Sequence, residues 1–228
     1  MTVALGRMTW TDLWHAAPRP LVIVPVGSCE QHGPHLPLDT DTRIAMALAS
    51  RLVDSAEPGQ MVIAPPLTIS SSGEHAGFPG TLSLGGSVFE RLVVELVRSA
   101  DWSGGTVLVN GHGGNAAAIQ RAVSTLTDER RKVFSWWPKV RNGDGHAGET
   151  ETSLMLAIAP ELVRMDLAEA GRPEPLVDLI EALREHGVRA ISPNGVLGDP
   201  RSATTSHGKA LLTRLTIDLV AAVDEWWV

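Results

Sequence analysis

A chain of 228 residues, 43% hydrophobic and 20% charged, carries enough apolar material to bury a sizeable core and is too apolar to stay disordered. Its net charge of -7 comes from interleaved acids and bases without a basic block, which argues against nucleic acid and anionic membranes as partners. The single cysteine, Cys29, rules out an internal disulfide framework. MTVALGRMTWTDLW lacks a signal-peptide pattern and no apolar run reaches ~18 residues, so a soluble cytoplasmic protein is expected.

Taken in chain order, short β-branched runs alternate with longer amphipathic stretches. LVIVPV (21–26) reads as a buried strand and is followed by a predicted helix over 42–53. MVIAP (61–65) is a second strand, and an irregular Gly/Ser-rich segment, 66–87, separates it from a helix over 88–100. TVLVN (106–110), a helix over 115–130, KVFSWW (132–137) and a helix over 151–159 continue the rhythm. The last third holds helices over 175–187 and 209–227, a weaker strand VRAIS (188–192) and a second irregular segment, 192–208. The pattern predicts an α/β fold: three α/β/α layers around a mostly parallel central sheet, in one domain spanning residues 1–228. Each long irregular segment suits a lid or a substrate wall. The terminal DEWWV (224–228) needs burial, against its own core or a neighbour.

Four polar clusters fall at strand–helix junctions. In GSCEQHGPHLPLDTDT (27–42), Glu30 and His32 are two apart and share a side in extended chain, with Asp41 nine residues further on. Carboxylate, imidazole and carboxylate suit a borderline divalent ion, although Asp39, Thr40 and Asp41 each also suit an ordinary N-cap. His35 reads as a turn residue. In NGHGGN (110–115), glycines around His112 permit close backbone approach. A phosphate cradle is the competing reading there, but the P-loop and dinucleotide spacings are missing. GDGHAGETETS (143–153) offers His146 and Glu151, the latter also favoured by a helix dipole. Glu74 and His75 in SSGEHAGFPGTLS (71–83) are less constrained. In a parallel sheet the ends of strands 21–26, 106–110 and 132–137 lie along one edge, so Glu30, His32, Asp41, His112 and His146 can meet in one crevice. His15 and His186 fall in amphipathic helices and His207 opens the last one.

EQHGPHLPLDTD, NGHGGN, FPGT and HAG followed by ETS together resemble the creatininase family of metal-dependent amidohydrolases, from about residue 20 to 160 and more loosely through SPNGVLGDP. APPLTISSSGEH, HAGETETS and GVLGDP look most like the mycofactocin-associated branch of that family, whose peptidase trims a modified precursor peptide. The resemblance implies an α/β/α fold and one or two divalent metal ions per subunit, with iron or zinc foremost and manganese the further choice. Glu30 and His112 would bind one ion and His32 a second, with Asp41 bridging. It also implies a homo-oligomer. Creatinine hydrolases carry an aromatic and a glutamate where this chain has Gly113 and Gly114, which removes a carboxylate and opens the pocket. Glu151 is a candidate replacement ligand, or else orients His146, the candidate proton shuttle. The expected activity is amide or peptide bond hydrolysis, with a short modified precursor peptide as substrate and a fragment built on its last two residues as product. Two alternatives stand beside it. One is a small-molecule cyclic amidohydrolase or deformylase of creatinine or formamidopyrimidine type. The other is a metal-independent nucleotide-binding protein, which the clustered carboxylates disfavour.

Overall fold

The computed structural model describes residues 4–141 and 143–227; Val228, the end of the terminal run, lies outside them. Four strands, β1 (Leu21–Val26), β2 (Met61–Ile63), β3 (Gly105–Asn110) and β4 (Val133–Trp136), form an all-parallel sheet in the order β2-β1-β3-β4. Eight α-helices accompany them among the described residues: α1 (Trp10–Trp14), α2 (Thr40–Ser55), α3 (Gly86–Ser99), α4 (Ala116–Asp128), α5 (Glu149–Ile158), α6 (Leu176–His186), α7 (Val188–Ile191) and α8 (Thr205–Trp227).

The period of two along β1 sorts its side chains into two cores. Leu21 and Ile23, with Val107 and Val109 of β3, pack against Ile44 and Leu48 of α2, Met155 of α5 and Leu215 and Leu219 of α8. Val22, Val24 and Val26, with Leu108, face Phe89 and Val93 of α3 and Ile119 and Ala122 of α4. Every residue of β1 and β3 is buried, and each buried Val, Leu or Ile contributes roughly 1.5–3 kcal/mol over its exposed state. The result is the expected three-layer α/β/α arrangement.

Pro25 sits in a central strand, a position proline normally avoids for want of an N–H. It is tolerated because β2 ends at Ile63, which pairs with Ile23, so no strand lies opposite Pro25 on that side. The Pro25 carbonyl instead accepts from the Leu67 amide at 2.9 Å.

One predicted strand is corrected. Residues 188–191 form the short helix α7, and the Ser192 amide closes its turn on the Val188 carbonyl at 2.8 Å. The physical reason is that Val188 and Ser192 are buried while Ala190 between them is exposed; a strand would put all three on one face, whereas a helical turn sets Ala190 apart. His15 sits just past the end of α1, whereas His186 ends α6 and His207 lies in the first turn of α8. Of the terminal tryptophans, Trp226 packs against the chain's own core and Trp227 stays exposed. Trp226 stacks on Phe134 of β4 at 5.5 Å, and Lys132 lies over the Trp227 ring at 5.0 Å. No helix among the described residues is long and apolar enough to cross a membrane.

Candidate metal centre

The carboxyl edge of the sheet is where chain direction changes, and two glycines let α2 close onto it. A Cβ at Gly27, just past β1, would lie 2.4 Å from the Thr42 Cα, and one at Gly111, just past β3, 2.4 Å from the Asp41 carbonyl oxygen. Without side chains there, the first turn of α2 sits directly on the strand ends and delivers Asp41 between them. Asn115 ties the same junction together. Its amide donates to the Gly27 carbonyl and to Asn110 Oδ1, each at 3.1 Å, while its oxygen accepts from the Ser71 amide.

Glu30 is the centre of the cluster. It is fully buried and neither carboxylate oxygen has a hydrogen-bond partner. Around it stand three imidazoles: His112 Nε2 at 3.2 Å, His75 Nε2 at 3.4 Å and His146 Nδ1 at 3.9 Å. Asp41, equally buried, reaches His32 Nε2 through Oδ1 and His112 Nδ1 through Oδ2, both at 3.1 Å, and accepts from the Ser28 hydroxyl at 2.7 Å. His32 Nδ1 lies 3.1 Å from the Glu30 main-chain oxygen. Donating there fixes the tautomer and leaves Nε2 facing Asp41 and, at 3.9 Å, Glu151.

Desolvation opposes charge on His32. The neighbouring Asp41, Glu151 and Glu30 outweigh it and hold the imidazole protonated up to about 10. His112 is pushed well up against the same burial penalty, by Glu30, Asp41 and Glu74. His146 goes the other way. Burial keeps it neutral, with the protonated His32 and the neighbouring His75 ring adding to the effect. Burial raises Glu151 to about 7, helped by Asp41 and Asp144 and opposed by His32 and the Ala147 amide.

A buried carboxylate whose oxygens accept no hydrogen bond costs several kcal/mol unless a cation offsets it. Three overlapping sets have the spacing of a metal site, with their ligand atoms within 4.8 Å of one another: Glu30–His32–His146, Glu30–Asp41–His112 and His32–Asp41–Glu151. Their nitrogen and oxygen donors suit a divalent ion such as zinc, iron or manganese. The orphaned Glu30 oxygens mark where positive charge is wanted, so the residues present fit a metal.

All six residues singled out in the sequence, Glu30, His32, Asp41, His112, His146 and Glu151, therefore converge. Cys29 stays outside the three sets; its sulfur lies 3.6 Å from the Gly80 carbonyl. His35 lies in a turn, as expected, and is buried there, with its Nε2 2.9 Å from the Thr152 hydroxyl. Sequence reasoning placed too little weight on Glu74 and His75. The first 3-10 turn of the 66–87 segment brings Glu74 Oε1 to 3.5 Å from His112 Nε2, besides the His75 contact with Glu30. The adjacent acid–imidazole pair was the available signal. Gln31 was missed altogether, because strand alternation points it away from its neighbours Glu30 and His32.

At Gly113 a Cβ would meet nothing within 4 Å, whereas at Gly114 it would lie 2.1 Å from Glu74 Oε1. The position after the histidine is thus open, and the next is filled by another loop's carboxylate. A cavity of about 670 Å³ reaches the cluster, lined by His112, Gly113, Trp137, Lys139, Arg141 and Glu151 among others.

A parallel α/β sheet with imidazoles and carboxylates gathered at its carboxyl edge, under an open cavity, defines the architecture of a metal-dependent hydrolase. The chain belongs to the creatininase family: the family model described as creatinine amidohydrolase matches residues 6–223. It is a hydrolase of that family. A mycofactocin precursor peptide peptidase from Mycolicibacterium smegmatis is 46% identical over 212 residues, covering 91% of this chain and 85% of that one. Among solved structures, a creatininase variant of Zn-Zn type superposes with a TM-score of 0.84 at 25% identity, covering 100% of this chain and 99% of the other. A manganese creatininase does so with a TM-score of 0.82 at the same identity and coverage.

Proposed function

We propose that this protein is a peptidase that hydrolyses an amide bond near the C-terminus of a short modified precursor peptide, the mycofactocin precursor, releasing a fragment built on its last two residues. The observation that carries this reading is the size of the cleft. About 670 Å³ opens onto the cluster beside the side-chain-free Gly113, room for the last residues of a peptide chain. The likeness to the Mycolicibacterium smegmatis peptidase supports it.

Glu30 and His112 would hold one divalent ion, iron or zinc, with manganese the further choice. Asp41, His32 and Glu151 would hold a second. An ion so held supplies Lewis-acid polarisation of the amide carbonyl and lowers the pKa of water to about 7. His146, neutral and with Nδ1 turned to Glu30, takes a proton from the attacking water and passes it to the departing nitrogen, since amines leave poorly unless protonated. Glu151 Oε2 accepts from the Ala147 amide at 2.6 Å and thereby holds the turn that bears His146. Ala147 itself has φ +52, a strained left-handed conformation that aims the preceding imidazole inward. The cleft wall of Trp137, Pro138 and Val140 shields the reacting bond from bulk water.

The reading includes a homo-oligomer, for which Trp10 and Trp14, 73% and 76% exposed, are the apolar surface in want of cover. Sizing chromatography showing a monomer at working concentration would remove that part. The central test incubates metal-loaded enzyme with the matured precursor peptide and follows it by mass spectrometry. Loss of the C-terminal fragment is expected; an intact peptide together with turnover of creatinine or a formamidopyrimidine would replace the reading with a small-molecule amidohydrolase.

A further inference from the structure

Gln31 lies between Glu30 and His32 but turns away from the candidate metal position, and it is 5% exposed. Its side-chain oxygen accepts from the Gly33 amide at 2.9 Å. That contact fixes which way the amide faces. A flipped amide would set its NH2 against the Gly33 N–H and its oxygen against the Gly195 carbonyl, two repulsive contacts in place of two hydrogen bonds. The cradle is tight. Gly195 has φ +80, and a Cβ there would lie 1.9 Å from Gln31 Oε1.

With the orientation set, the hydrogens can be assigned by counting. The two on Nε2 go to the acceptors in reach, His75 Nδ1 at 2.9 Å and the Gly195 carbonyl at 3.1 Å. His75 must then carry its own hydrogen on Nε2, the atom 3.4 Å from Glu30 Oε1. His146 Nε2 is 3.1 Å from Gln31 Nε2 and 2.8 Å from the Gln31 main-chain oxygen. A carbonyl only accepts, so His146 Nε2 is the donor. Its Nδ1 is left as a lone pair, 3.9 Å from the same Glu30 oxygen. The two rings stand 4.5 Å apart.

We propose that Gln31 is a positioning residue. Through its side-chain amide and its main-chain carbonyl it holds His75 and His146 in the same Nε2–H tautomer, and because the rings meet Glu30 through different atoms, His75 presents a hydrogen to the site and His146 a lone pair. The geometry of the assignment stands without any substrate. Only its catalytic consequence, that His146 is ready to take up a proton, rests on the hydrolase reading above. One amino acid thus divides the labour between two chemically identical side chains.

The test uses zinc-loaded full-length protein and two-bond 1H–15N correlation spectra of the imidazole nitrogens. Wild type is expected to show both rings with hydrogen on Nε2; hydrogen on Nδ1 of either ring overturns the proposal before any variant is made. In Gln31→Glu the donor facing His75 Nδ1 becomes an acceptor, and His75 should switch to the Nδ1–H form. An unchanged His75 tautomer in a folded variant also overturns it. Gln31→Met, which keeps volume without a donor, serves if the glutamate variant does not fold, and there His75 should show a mixture of both tautomers; a pure Nε2–H ring refutes the role. In the peptide assay either variant should lose roughly 10–100-fold in kcat, the range for groups that orient metal-site residues, with KM and zinc content near wild type. A changed tautomer with unchanged kcat refutes the positioning role. Wild-type spectra as expected with no peptide cleavage refute the proposed substrate and leave the tautomer assignment intact.

Discussion

The two ends of the sheet use the same chemical groups to opposite effect. At the amino end, Arg98 meets Glu95 and Glu129, and Arg131 meets Glu129 and Asp101, in a surface network whose members are 24–69% exposed. At the carboxyl end, Glu30 and Asp41 are buried, and their ion-pairing partners among the described residues are all histidines. Where the carboxylates are solvated, the compensating cation is a permanent arginine. Where they are buried, the chain supplies groups that are positive only after taking up a proton and that lose it to a metal. Two buried acids among four imidazoles are therefore an arrangement that exchanges one cation for another.

The largest expected effect comes from removing a member of the buried end. His112 touches Glu30 through Nε2 and Asp41 through Nδ1, so His112→Ala should abolish both metal uptake, read by elemental analysis, and peptide cleavage. His146→Ala should keep most of the metal and lose turnover by ~10²–10⁴-fold, the range for a general acid or base. Equal metal loss in both would erase the distinction between a ligand and a proton carrier.

The next effect is on stability and follows from the sign of the shift. His32 has its folded pKa raised to about 10 from 6.5. In metal-free protein its stabilisation is complete below about 6.5 and is lost as pH rises through the folded value. Chelated enzyme should thus melt at a falling temperature between pH 7 and 10. The metal-loaded form should hold its melting temperature longer, and metal binding near neutral pH should release protons. A chelated protein that melts at the same temperature throughout that range would mean that no proton stands in for the metal.

A third effect separates neighbours on one loop. Gly111→Ala places a methyl 2.4 Å from the Asp41 carbonyl oxygen, which must push α2 from the strand ends. A cost of about 1–3 kcal/mol is expected from overpacking, and displacing Asp41 should cost activity as well. Gly113→Ala meets open space and should melt like wild type. Its only effect should be on peptide affinity, since the methyl narrows the cleft.

Much of this arrangement was legible in the sequence because it follows from chain direction. Four apolar runs at strand length had to form parallel strands, and polar clusters after three of them had to share an edge; Glu30, His32, Asp41, His112 and His146 follow from that, whereas Glu151 rests on the closeness of its motif to theirs. What could not be read depends on contacts between distant segments. Gln31 faces His75, 44 residues on, and Gly195, 164 residues on, and no local pattern encodes either. His35 is the turn residue it looked like, but its burial could not be read, because nothing nearby announces Thr152, 117 positions away, as its partner. Helix α7 was misread for a related reason: its Val and Ile suit a strand, but its burial at every fourth position is imposed by packing.

The smallest effect belongs to the exposed end. Glu129 has its folded pKa lowered to about 2 from 4.5, chiefly by its hydrogen bonds to Arg98, against a small burial penalty and with Arg131 adding to the lowering. Its contribution is present above about 4.5 and lost as pH falls toward 2, the reverse of His32. Solvent and salt screen such pairs, and many exposed ones contribute nothing measurable. Glu129→Gln should leave metal content and turnover at wild-type values and move the melting temperature by no more than about 2 °C at neutral pH. That small difference should vanish in 1 M salt, where screening acts over only about 3 Å. A larger shift that survives high salt would show that the amino end also stores energy in its charges, and the contrast between the two ends would then be one of degree.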